Sequence, residues 1–208
     1  EINKTEKAIV YDRINMREVA SQKGIDLENC LDSKCFSELA KFIDVSRIII
    51  GKIQKIDNQG DFIRLSISAN KILQDTKIGD SIAINGTCLT VTSRDSCLFT
   101  VDVVKETVLK TNLKYLQNKI YVNLERAMKA NSRFDGHIVQ GHIEGIAKIL
   151  SIKSDKDEFV VNLELPKELT KYCIYKGSIT LNGVSLTIAE IDKNIIDIWL
   201  IPHTLKHT

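Results

Sequence analysis

From Gly51 onward the chain falls into short runs in which apolar and polar positions alternate: Phe62 to Ser68, Ser81 to Ile84, Cys88 to Thr92 and Leu98 to Val103. The runs are rich in β-branched residues and bounded by Gly, Asn and Asp. That spacing predicts a small antiparallel barrel. Asn85-Gly86 is a hairpin signal, because both central positions of a type I′ turn need a positive φ. Val108 to Leu116 predicts a short helix or a connecting segment. Residues 1–50 are patterned differently. Ala8-Ile9-Val10-Tyr11 suits a short strand, Asn15 to Lys23 a helix stopped at Gly24, and Ser33 a cap for a second helix through Ala40. Arg47-Ile48-Ile49-Ile50 begins another strand. The opening segment is therefore expected to be α/β and the remainder mainly β.

The chain also repeats itself. Ser81-Ile-Ala-Ile-Asn-Gly-Thr-Cys-Leu-Thr-Val91 aligns without a gap on Ser178-Ile-Thr-Leu-Asn-Gly-Val-Ser-Leu-Thr-Ile188. The alignment carries Asn85 onto Asn182, Gly86 onto Gly183, Leu89 onto Leu186 and Thr90 onto Thr187. Downstream, Thr107 meets Thr204 and Thr111 meets Thr208; upstream, Lys52-Ile53 meets Lys148-Ile149. A repeat of about a hundred residues is too long for a solenoid unit and has the size of a small domain. The expected architecture is two tandem Greek-key-like antiparallel six-stranded barrels, at 51–136 and 137–208, preceded by the α/β extension at 1–50. The first copy continues into a closing strand around Asn123-Leu124-Glu125-Arg126-Ala127. The second reaches Thr208 without a counterpart, so it is expected to be incomplete, with an exposed sheet edge.

Composition narrows the function classes. The 208 residues carry 29 Lys and Arg against 27 Asp and Glu, a net charge of +2. That is no basic excess of the kind nucleic acid attracts. Hydrophobic residues make up 43% of the chain, enough for a packed core rather than a disordered coil. No stretch approaches the roughly 20 apolar residues of a spanning helix, and the opening Glu1-Ile2-Asn3-Lys4 has no apolar signal core. Neither a membrane nor nucleic acid is an expected partner. The five cysteines, Cys30, Cys35, Cys88, Cys97 and Cys173, are odd in number and irregular in spacing, which favours a reducing compartment over a disulfide framework. A cytoplasmic location is expected. Cys30 and Cys35 suit a local disulfide or two helix positions better than a metal knuckle.

Candidate chemistry lies in the repeats. The strand after each tight turn offers a small polar residue, Cys88 or Ser185, then an apolar one, then a threonine hydroxyl, Thr90 or Thr187. Such a strand suits a concave site with a few fixed polar groups on an apolar wall. It also suits an ordinary hairpin. Gly136-His-Ile-Val-Gln-Gly-His-Ile-Glu-Gly145 opens the second copy, and its glycines suggest close backbone approach. Along a strand His137 and His142 fall on opposite faces, a poor arrangement for a shared metal. His203 and His207 could meet on a helix but lack an acidic or cysteine partner nearby. No metal is expected.

Residues 51–208 resemble the α-type riboflavin synthase family with its two lumazine-binding repeats. The strings that carry the resemblance are G-D-S-I-A-I-N-G-T-C-L-T-V at 79–91, E-T-x3-T-N-L at 106–113 and V-N-L-E-R-A-M-K at 122–129. G-H-I-V-Q-G-H-I-E-G at 136–145, Y-K-G at 175–177, N-G-V-S-L-T at 182–187 and L-I-P-H-T-L at 200–205 follow in family order. The resemblance implies a dismutation without cofactor: one 6,7-dimethyl-8-ribityllumazine gives a four-carbon unit to another, forming riboflavin and a ribitylamino-pyrimidinedione. It implies a homotrimer whose sites lie between the first barrel of one subunit and the second barrel of a neighbour. A lumazine or flavin carrier without catalysis is the alternative.

Carried over position by position, the first-barrel site would use Ser81, Cys88, Leu89, Thr90, Asp102, Val103, Val104, Lys105, Glu106 and Thr107. The second-barrel site would use Gly141, His142, Ile143, Lys176, Ser185, Leu186, Thr187, Leu200, Ile201, Pro202, His203, Thr204 and Leu205. His142, Cys88 and Ser81 are the catalytic candidates. An imidazole suits proton transfer near neutrality, although His142 could equally close a backbone hydrogen bond. Cys88 could be a polar wall, a nucleophile or a small core thiol. The family's opening Met-Phe-Thr-Gly-Ile strand has no match here: Gly141-His142-Ile143 faces Val45-Ser46-Arg47 in the repeat register. The first barrel is therefore expected to be the weaker site and the second the tighter one. Residues 1–50 weakly resemble curli-assembly-type envelope proteins.

Overall fold

The structure, a computed structural model, describes residues 49–133, 136–155, 158–202 and 204. The elements and the resemblance read from residues 1–48 lie outside the described residues, as do Cys30, Cys35, His203, Leu205 and His207.

Six strands form the first unit: β1 (Ile49–Asn58), β2 (Phe62–Ser68), β3 (Ser81–Ile84), β4 (Thr87–Arg94), β5 (Leu98–Val104) and β6 (Tyr121–Arg126). They close into an antiparallel barrel in the order β1-β2-β5-β4-β3-β6, with β6 returning to β1. Alternation explains which face goes inward. Leu65 and Ile67 of β2, and Phe99, Val101 and Val103 of β5, are buried. Ser66 and Thr100 between them are less buried and face one another across the pair. Each large apolar side chain taken out of water contributes roughly 1.5–3 kcal/mol before entropy is charged against it.

The barrel starts earlier than the repeat suggested. Ile49 and Ile50 pair with Leu124 and Asn123 of β6, so β1 runs unbroken through Gly51. Gly51 is a packing residue and no boundary: a Cβ there would lie 2.6 Å from Leu124 Cδ1 and 2.7 Å from Ile67 Cγ2. The stretch at 108–116, expected to be a short helix or a connecting segment, is divided between two elements. Helix α1 (Lys105–Lys110) follows β5 directly, and a 3-10 turn occupies Asn112–Tyr115. Thr111 links the two, its hydroxyl donating to the Thr107 carbonyl at 2.6 Å and accepting from the Leu113 N–H at 3.3 Å.

The second unit has β7 (Lys148–Asp155), β8 (Glu158–Glu164), β9 (Ser178–Leu181), β10 (Val184–Asp192) and β11 (Ile195–Leu200). Their order, β7-β8-β11-β10-β9, repeats that of the first unit as an open five-stranded sheet. The chain is thus mainly β, one closed barrel and one unclosed copy. Core positions match across the copies: Val91, Phe99 and Val101 are buried, as are their counterparts Ile188, Ile196 and Ile198. On β9 the match weakens. Ile82 and Ile84 of β3 are fully buried beside β6, whereas Ile179 and Leu181 are only half-buried.

Residues 136–147 do not form the strand expected at the start of the second copy. They make an extended strap between the two units. Gly136 and Gly141, at φ +105° and +73°, interrupt any strand alternation there.

Candidate functional site

Both hairpin turns have the expected left-handed backbone: φ is 46° and 82° at Asn85 and Gly86, and 51° and 92° at Asn182 and Gly183. The turns face each other, with Gly86 against the backbone of Asn182 and Gly183. The asparagines differ in their second task. Asn85 Oδ1 accepts from the Asn123 N–H at 2.9 Å and fastens β6. Asn182 Oδ1 accepts from Asn112 Nδ2 at 3.2 Å, joining the second unit to the first.

Beside this junction the strap crosses the first barrel. The Cys88 N–H donates to the Gly141 carbonyl at 2.9 Å. A Cβ on Gly141 would fall 2.8 Å from both Cys88 N and Cβ, so strap and strand touch closely because position 141 lacks a side chain. Together they enclose a cleft of about 240 Å³. Its walls are Thr87 and Cys88 of β4, Glu106, Thr107 and Lys110 of α1 with Thr111 after it, and Gly141, His142 and Ile143 of the strap.

This corrects an expectation. Gly141, His142 and Ile143 were assigned with the second-barrel residues, yet they wall the first-barrel cleft beside Cys88. The repeat register says which residues are copies, not which copy they touch. The segment expected to be missing from the first site is supplied to it from the start of the second repeat. The reason for ranking the first barrel as the weaker site falls with that.

The cleft carries balanced charge and one unusual hydroxyl. Glu106 and Lys110, one helical turn apart, pair at 2.8 Å. Their mutual hydrogen bond, and then their attraction, lowers the Glu106 pKa and raises that of Lys110. Both remain well exposed, so the pair polarises the rim more than it stabilises the fold. Thr87 is 3% exposed, and its hydroxyl is the single buried side-chain polar atom without a hydrogen-bond partner among the described residues. Cys88 is a half-buried free thiol and His142 stands exposed at the mouth.

The other expected residues scatter. Leu89 and Val103 point into the core. Thr90 is exposed and pairs in register with Ser81, away from the cleft. Asp102 is held by Arg64 through two hydrogen bonds of 2.7 and 2.8 Å, which push its carboxyl below the usual range. Val104 and Lys105 are exposed where β5 meets α1.

On the second sheet Thr187 pairs with Ser178 as Thr90 does with Ser81. Leu186 and Leu200 pack on the second core. Lys176, Ile201 and Pro202 are exposed and Thr204 is half-buried. Ser185 is already bound by His137 of the strap, at 2.6 Å from Nδ1. Sequence reading missed Thr87, Lys110 and Thr111. A signal existed for two of them: Lys110 and Thr111 stand four residues after Glu106 and Thr107, one helical turn along the same face.

The lumazine binding domain family matches the chain twice, over residues 49–127 and 140–208. The riboflavin synthase of Actinobacillus pleuropneumoniae is 47% identical over 159 residues, covering 76% of this chain and 74% of that protein. That of Bacillus subtilis (strain 168) is 47% identical over 158 residues, with the same coverage of 76% and 74%. Among solved structures, LumP complexed with riboflavin superposes with a TM-score of 0.68 at 30% identity, covering 76% of this chain and 86% of that one. LumP complexed with 6,7-dimethyl-8-(1'-D-ribityl) lumazine gives 0.65 at 28% identity, over 74% and 84%. With its two matched domains, its repeated strand order and this level of identity, the chain belongs to the riboflavin synthase family.

Proposed function

We infer that the chain is a riboflavin synthase, a transferase that converts two molecules of 6,7-dimethyl-8-ribityllumazine into riboflavin and 5-amino-6-ribitylaminopyrimidinedione, and that the Cys88 cleft binds one of the two. The observation that carries the assignment of this cleft is the Cys88–Gly141 backbone bond, which brings strand, helix and strap around one space. A lumazine is a flat ring with polar edges and a polyhydroxyl tail. The Thr107 hydroxyl and the Glu106–Lys110 pair offer donors and acceptors for the ribityl chain, and Ile143 offers an apolar surface to the ring. We propose that His142, exposed at the mouth, takes a proton from the 7-methyl group of a bound ring; its exposure beside the cleft supports that role.

The reaction stacks two rings in register, an orientation effect that supplies several kcal/mol. We propose that the second ring is held by the second sheet of a neighbouring subunit in a homotrimer. We further propose a cytoplasmic location, on the odd number and irregular spacing of the five cysteines.

Incubating the protein with 6,7-dimethyl-8-ribityllumazine and following riboflavin fluorescence tests the assignment. Turnover that rises steeply with protein concentration supports an assembly-dependent synthase. Binding without turnover at high concentration supports a carrier instead, and absence of both overturns the assignment of the cleft.

A further inference from the structure

The strap is fastened at both ends. At the cleft end the Cys88 N–H donates to the Gly141 carbonyl. At the other end Gly136 packs on the Ser185 side chain, where a Cβ would lie 2.5 Å from Oγ. The next residue, His137, makes three contacts with the second sheet. Its backbone N–H donates to Ser185 Oγ at 3.2 Å, its Nδ1 lies 2.6 Å from the same oxygen, and its Nε2 lies 2.9 Å from Thr180 Oγ1.

Thr180 and Ser185 are direct partners across the β9–β10 pair, so the imidazole spans a cross-strand pair. A neutral ring with its proton on Nε2 satisfies all three contacts. Ser185 accepts from the His137 backbone and donates to Nδ1, while Nε2–H donates to Thr180. Between the anchors, Ile138 and Val139 are 71% and 40% exposed. Among the described residues, the hydrogen bonds tying 136–143 to the two sheets are those of His137 and Gly141.

We propose that His137 is a positioning residue for the first-barrel site: moored on β9 and β10 of the second sheet, it fixes the strap so that Gly141, His142 and Ile143 wall the Cys88 cleft of the first barrel. The proposal rests on the reading of that cleft as a lumazine site. His137 itself does not line the cleft. It acts through the strap, across the junction of the two repeats.

The test uses His137→Ala, His137→Gln and Thr180→Val in the full chain, with amide hydrogen exchange and lumazine titration by fluorescence. His137→Ala is expected to speed exchange of the Cys88 amide, which the strap protects through the Gly141 carbonyl, by about tenfold or more while β2 and β5 keep their protection. Lumazine affinity falls by about tenfold, and in turnover kcat falls with it, because the released strap carries His142. His137→Gln, whose amide can reach Thr180 Oγ1, recovers a large part of both losses, and Thr180→Val gives an intermediate loss.

Unchanged exchange of the Cys88 amide in His137→Ala, or unchanged affinity with a released strap, overturns the proposal. So does faster exchange confined to β9 and β10, which would make His137 a support of the second sheet alone. If the unaltered protein binds no lumazine, the functional reading falls, and the exchange result by itself upholds or overturns the mooring.

Discussion

Gly86 and Gly183 meet backbone to backbone where the two hairpin turns of the repeat face each other. Each sits at a positive φ, and a Cβ on Gly86 would land on the main chain of Gly183 and 2.7 Å from the Asn182 carbonyl carbon. Gly86→Ala therefore meets both left-handed strain and fixed backbone, and is expected to cost about 3 kcal/mol or more in urea unfolding. Gly60→Ala is the matched control. Gly60 has φ +85° but nothing within 4 Å of its virtual Cβ, so its loss should stay near 1 kcal/mol. Equal losses at the two positions would show that the turn–turn contact contributes nothing.

Thr87 separates stability from binding. Its buried hydroxyl has no partner among the described residues, a condition that costs about 1–3 kcal/mol, and the equivalent residue in the second repeat is Val184. Thr87→Val should raise the stability of the ligand-free protein by about 1 kcal/mol in denaturant titration. It should also weaken lumazine binding severalfold if a ligand atom is that hydroxyl's partner. A stabilised variant with unchanged affinity would leave Thr87 without a role in binding.

Arg64 and Asp102 give a prediction in pH. The Asp102 pKa is lowered first by its hydrogen bonds from Arg64, so its stabilising contribution is present above the ordinary aspartate range, about pH 4. It is lost as pH falls through the lowered value. Both side chains are partly exposed, so solvent screening keeps the effect small. Arg64→Met should show that deficit at pH 7, and the gap to the unaltered protein should shrink as the solution is acidified below pH ~4. A gap that stays constant into acid would assign the loss to packing of the arginine stem.

His142 lies at the mouth of the cleft, exposed, where proton transfer needs access to both ligand and solvent. His142→Gln is expected to lower kcat about 100-fold while the lumazine dissociation constant stays within a few-fold. A parallel loss of binding would mark the imidazole as a ligand-holding group.

Most of the first barrel was legible because one local signal settles each strand: alternation against a single core, with Asn85-Gly86 setting a register. The stretch holding helix α1 reads equally as a short helix or a connecting segment because the first turn is unmarked, Val104 offering no capping side chain. Gly51 looked like a boundary because a packing glycine and a punctuating glycine are the same letter. The strap was the deeper miss. Gly141 and Cys88 are joined by a backbone bond that leaves no trace in side-chain pattern, and the repeat register counts Gly141 with the other copy. Thr87 reads as a good strand residue, and only three-dimensional burial shows its hydroxyl stranded.

The crossing of the strap makes the heritable module and the working module different lengths of chain. A piece cut after Arg126 keeps every strand of the closed barrel but leaves Gly141, His142 and Ile143 behind. A piece extended to Ile143 recovers them and loses Thr180 and Ser185, on which the strap is moored. Because a segment of the second copy walls the pocket of the first, the two halves are interdependent, and dissecting the chain at its sequence repeat divides a single pocket.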